Sequence, residues 1–100
     1  MTRRFRMVVT PRAAEDIATL RAYLIERSPT GAENVRRAIV ATLEHLSGFP
    51  LTGKNRPELQ VRSIGVSRYN YTIYFRVAED YVEIIHICDD RRASLEPGDI

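Results

Sequence analysis

The side chains of this chain that could do chemistry are two histidines, one cysteine, five tyrosines and a large set of arginines. Cleaving RNA through its 2′-hydroxyl needs a base, an acid and cations to meet the charge on the phosphorane. Arg62, Arg76, Arg91 and Arg92 could supply the charge. The simplest base near neutral pH is a histidine. His86 sits in a strand-like run, and His45 sits in a helical pattern one residue before apolar Leu46. A lone strand histidine is more often packed than catalytic, and an arginine is too costly to deprotonate as a base. The set is thin for an enzyme. Cys88 lies inside an apolar run and reads as a small buried hydrophobe. A single cysteine makes neither an internal disulfide nor a cysteine-based zinc site. This reading calls for no metal and no cofactor.

The same residues also have non-catalytic uses. Arg62 and Arg76 can pair with Glu83 or Asp80 on a neighbouring strand. Arg91 and Arg92 follow Asp89 and Asp90, and the four charges could cancel in a solvated turn. Tyr69, Tyr71, Tyr74 and Tyr81 cluster near these arginines, and interleaved aromatics and Arg on a sheet can stack bases. Core packing explains most of the tyrosines. The alternation puts Tyr71 on the buried side and leaves Tyr74 as the exposed candidate.

The stretch YNYTIYFRVAEDYVEIIHICDDRR, residues 69–92, must position most of these groups. Tyr71, Ile73, Phe75 and Val77 alternate with Thr72, Tyr74 and Arg76, the period of a half-buried strand. A break at Ala78-Glu79-Asp80 and a second apolar run from Tyr81 to Cys88 predict an antiparallel hairpin with a small bulge. This hairpin is expected at the centre of a sheet, with its Arg-bearing outer side as the working surface. Both faces of the second strand carry apolar residues, so the pattern leaves its buried face open.

Earlier in the chain, Arg3 to Val9 alternates as a first strand. Thr10-Pro11 and Ser28-Pro29 are two helix starts of one design, an N-cap hydroxyl followed by proline at the first helical position. Ala13, Ile17, Leu20 and Leu24 form the apolar stripe of the first helix, which ends near Arg27. Ala32, Val35, Ile39, Leu43 and Leu46 form that of the second, which ends at Gly48 before Phe49-Pro50. So short a link predicts an antiparallel helical hairpin, and a sheet is the surface available to cover it. Leu51 to Leu59 reads as a loop with a basic tip at Lys54 and Arg56, and Gln60 to Val66 as a strand. The fold class is therefore α+β, in the order β-α-α-β-β-β, with a helical hairpin on a small, mainly antiparallel sheet. Residues 1–93 are read as a single domain and 94–100 as a mobile C-terminal tail.

One hundred residues make one modest core. The net charge is only +2, so the chain is no polycation. Of its 15 basic residues, however, every one but Lys54 is arginine. Arginine suits bidentate pairing with carboxylate or phosphate, which leans toward an acidic partner. The first residues lack the apolar core of a signal peptide, because Pro11-Arg12 follows at once. No run approaches the ~20 apolar residues of a membrane span. The expected compartment is the cytoplasm. Neither membrane binding nor specific DNA binding by this chain is expected.

Five segments, in order, resemble toxins of the ParE/RelE superfamily, and more the ParE branch: VVTPRAAEDI, YLIERSP, RPELQVRSI, YTIYFRV and VEIIHICDDRR. The resemblance spans nearly all of the chain to Arg92, and the fold of that family is β-α-α-β-β-β. It implies the toxin of a type II toxin–antitoxin system, acting by protein binding on DNA gyrase. A cognate, ParD-like antitoxin would neutralise it, often in a heterotetramer. Such an antitoxin segment is disordered alone and orders when it wraps the toxin. On this reading the residues for target or antitoxin contact are Arg62, Tyr74, Arg76, Arg91 and Arg92. The first alternative is a RelE-like, ribosome-dependent mRNA endoribonuclease, with Arg62, Arg76, His86 and Arg91 as its catalytic set. Against it, Thr72 stands where many superfamily members carry arginine, and no aromatic residue follows Arg92. Asp89 stands where many ParE-like members carry histidine. The second alternative is a non-toxic interaction module of the same fold.

Overall fold

The computed structural model describes residues 4–91. The chain runs β1 (Arg6–Val9), α1 (Pro11–Arg27), α2 (Pro29–Gly48), β2 (Lys54–Arg56), β3 (Val61–Gly65), β4 (Tyr71–Val77) and β5 (Tyr81–Asp89). The five strands form one sheet in the order β1-β5-β4-β3-β2. Pairing is antiparallel except between β1 and β5, which run parallel. The expected α+β order stands, with β4 and β5 inside the sheet. One strand is added: the expected loop at 51–59 contains β2, whose Lys54, Asn55 and Arg56 pair with Ser63, Arg62 and Val61. The expected tail lies outside the described residues, as does Arg92.

Local chemistry sets both helices. Thr10 accepts a hydrogen bond from the Ala13 amide at 3.2 Å, and Pro11 opens α1. Ser28 is the whole link between the helices. Its amide donates to Leu24 O at 2.8 Å, closing α1, while its hydroxyl accepts from the Gly31 amide at 3.0 Å, opening α2. One residue cannot span two helices unless they fold back antiparallel, as they do.

The main core lies between the helical hairpin and one face of the sheet. Phe75, Leu46, Ile73, Ile84 and Val82 are its largest fully enclosed side chains. Val35, Ile39 and Ala13 pack with them from the helices. A second, smaller cluster of Leu59, Val61, Tyr74 and Ile85 covers the opposite face, with Cys88 packed against it. The cause is a register shift. Tyr74 pairs with His86 and Phe75 with Ile84, so Ile85 is an extra residue in β5. The bulge lets Ile84 and Ile87 face the helices while Ile85 joins the other face. A turn through Pro57–Gln60, with Gln60 at φ 57°, brings in Leu59. The face left open in the sequence is thus resolved: β5 buries both. Among the described residues no helix is long and apolar enough to cross a membrane.

Candidate functional site

The two helices carry more apolar surface than the sheet covers. Ile17, Leu20, Leu24 and Leu43 are only partly buried, and Ile25 and Val40 stand open at 39% and 38% exposure. Between α1 and α2 these side chains line a groove of about 370 Å³. Arg21, Glu33 and Arg36 are also among its lining residues. Arg36 donates two bonds to the Glu33 carboxylate, at 2.8 and 3.0 Å. That pairing lowers the Glu33 pKa from 4.5 to about 2. The groove is a continuous apolar strip at helical spacing, of a shape to accept another apolar segment.

The residues singled out for chemistry do not share one surface. Tyr74 was expected to stand exposed; instead it is 7% accessible, in the second cluster. Burial is the main cause that raises its phenol pKa, and Arg56 partly opposes the shift. Arg76 lies on that same outer face, across from Glu83, with 3.8 Å between the charged groups. It also donates to Gln60 O at 3.1 Å. The expected pairing of Arg76 with Glu83 is therefore present.

Arg62 is cross-strand from Phe75, which places it on the helix-facing side, opposite to Arg76. It donates to Leu51 O at 2.6 Å, pinning the segment after α2, and not to an acid on a neighbouring strand. Arg91 lies past the end of β5, bound by two 3.0 Å bonds to the Asp89 carboxylate. The hydrogen bonds to that carboxylate are the main reason the Arg91 pKa is raised. Arg91 and Arg76 sit at opposite ends of the hairpin. Tyr71 and Arg76 mark those ends and lie roughly 17 Å apart at the rise of a strand. An outer face gathering Arg62, Arg76 and Arg91 is not what the fold makes.

His86 is held rather than free. Its Nδ1 lies 2.5 Å from the Asp16 carboxylate, and its ring stacks on Tyr74 at 6.2 Å between centroids. The same Asp16 oxygen accepts the Ile87 amide at 3.1 Å. Asp16 lies off the apolar stripe of α1, and the local pattern gives it no role. The signal was its position. Strand β1 pairs with β5 only as far as Ile84, which leaves the following edge of β5 bare. Thr10 donates its hydroxyl to Ile84 O at 2.8 Å, and Asp16, two turns into α1, takes the next edge amide. Cys88 is half-buried, and burial, the largest cause, pushes its thiol pKa up. It is placed as an inert packing residue.

With this geometry in hand, the relatives are informative. The family described as "ParE toxin of type II toxin-antitoxin system, parDE" matches residues 7–93. A relative named Toxin RelE3, from Caulobacter vibrioides, is 32% identical over 88 residues, covering 86% of this chain and 90% of its own. A solved structure titled "Chromosomal ParDE TA system from P. aeruginosa" matches with a TM-score of 0.68 at 24% identity. It covers 83% of this chain and 92% of that one, a likeness of fold. The helical hairpin on its sheet, and the match running from β1 past the end of β5, place this chain in the ParE toxin family of type II toxin–antitoxin systems.

Proposed function

We propose that this toxin acts by gripping a protein target, DNA gyrase, and that a ParD-like antitoxin neutralises it by laying an apolar segment along the α1–α2 groove. One observation carries the reading. The groove is built and open, whereas the cationic part of the nuclease set is dispersed: Arg62, Arg76 and Arg91 lie on three separate surfaces. A general base needs a free partner site within hydrogen-bond reach of the substrate, next to the cationic groups that meet the charge. A toxin that works by binding needs only area and complementarity. The antitoxin would order on the groove, with the whole assembled as a heterotetramer in the cytoplasm.

The name of the Caulobacter relative supports the RelE-like ribonuclease as the second reading. Two assays divide them. Purified protein is added to gyrase supercoiling reactions, and to translating ribosomes with primer-extension mapping of the message. Inhibition of supercoiling alone is the expected result; codon-linked cuts in the message would overturn it. Growth arrest on expression, relieved by the antitoxin, sets both apart from a non-toxic module. Within the groove, Val40→Asp is expected to weaken antitoxin binding by about a hundredfold, because a carboxylate would be buried against apolar atoms. Undiminished affinity in titration calorimetry would move the antitoxin to another surface.

A further inference from the structure

At the end of the helical hairpin, the α1–α2 link faces the β3–β4 turn across a separate cleft of about 270 Å³. That is just below the ~300 Å³ of the smallest drug-sized pockets, so its occupant is small. Three arginines line it from three parts of the fold: Arg27 in the last turn of α1, Arg68 in the β3–β4 turn and Arg91 after β5. Tyr69 and Tyr71 flank them, and Leu24 and Val35 are shared with the apolar groove.

Among the described residues, the ion pairs leave this cluster under-neutralised. Arg91 is paired with Asp89. Arg27 lies 3.7 Å over the Tyr23 ring and donates to Tyr23 O at 3.3 Å, but meets no carboxylate. Arg68 has no ion pair. Three guanidinium charges less the Asp89 carboxylate leave a net charge of +2.

Arg68 also holds a strained backbone. Its φ is 72°, in a turn where the Tyr69 amide donates to Val66 O at 3.2 Å. Glycine or asparagine would occupy that conformation more easily. The backbone there favours glycine, yet an arginine stands at it and shares its cleft with Arg27 and Arg91. Strain and like charge held together at one spot are a mark of a binding site.

We propose that this cleft binds a phosphate dianion, either free orthophosphate or the phosphomonoester of a nucleotide. A charge of −2 matches the +2 of the described residues at the cleft. Three arginines in one cleft suit the three terminal oxygens of a phosphomonoester, whereas a carboxylate offers two.

The test is a titration of the full-length toxin, followed by amide NMR shifts, with sodium phosphate, adenosine 5′-monophosphate and sodium acetate at matched ionic strength. Saturable shifts at Arg27, Arg68, Tyr69 and Arg91 are expected with phosphate and not with acetate. Tighter binding of the nucleotide names it as the source; equal binding names orthophosphate. Arg68→Gly is expected to weaken phosphate by about tenfold or more, the loss of a charged hydrogen bond. Its melting temperature should be unchanged or higher, since glycine accepts the φ. Arg27→Gln leaves the turn untouched and should weaken binding likewise. Shifts that do not saturate, acetate binding as tightly as phosphate, or unaltered affinity in both variants would each overturn the assignment.

Discussion

Replacing Asp16 by alanine tests whether His86 is a fixture of the fold. The Asp16 carboxylate takes the Ile87 amide at 3.1 Å and the His86 ring at 2.5 Å. A hydrogen bond to a charged group contributes about 1.5–3 kcal/mol. Two of them would total about 3–6 kcal/mol if independent, but both end on one oxygen of a side chain still 22% exposed. Water can reach part of the gap, so the lower end applies, about 3 kcal/mol. Against the 5–15 kcal/mol typical of a domain, this is a large fraction. At this size each kcal/mol moves the melting temperature by roughly 4–8 °C, so a fall of about 12 °C or more is expected. Urea unfolding followed by circular dichroism measures it, with the slope unchanged between variants. A cycle with His86→Asn and the double variant isolates the pair, and a coupling of about 1 kcal/mol or more is expected. An Asp16→Ala protein as stable as the parent to within about 0.5 kcal/mol would refute the reasoning. It would mean that water satisfies the edge amide and that the Asp16–His86 contact is no fixture of the fold.

Gly53 has φ +97°, and a Cβ there would lie 2.3 Å from Ser63 O, so Gly53→Ala should cost about 2 kcal/mol or more in a denaturant melt. The Glu33 pKa is lowered on folding from 4.5 to about 2. The unfolded chain therefore binds the proton first, and the contribution of Glu33 is full above pH 4.5 and lost as pH falls toward 2. Glu33→Gln should flatten that part of the stability–pH curve, slightly, because the pair is exposed to solvent; an unaltered acid limb would count against the pairing.

Much of this protein was legible before folding was considered. The two Thr/Ser-Pro starts, the helical stripes and the alternation of Tyr71, Ile73, Phe75 and Val77 are local signals. Each depends on neighbours within a turn or a pleat, and each appears where the spacing puts it. The pairing of Arg76 with Glu83 was also readable, because a hairpin fixes its own register.

The tertiary structure alone decided the rest. A single extra residue at Ile85 resets which side chains of β5 face the helices, and no pattern within the strand reveals where a partner strand will skip. Tyr74 is buried because Leu59 folds over it from a separate turn. Arg62 and Arg76 part company because one pairs opposite Phe75 and the other opposite Glu83. Asp16 matters because β1 is too short to cover β5, a mismatch between segments far apart in the chain. Local spacing determined the elements; contacts across the chain determined which of their faces meet water.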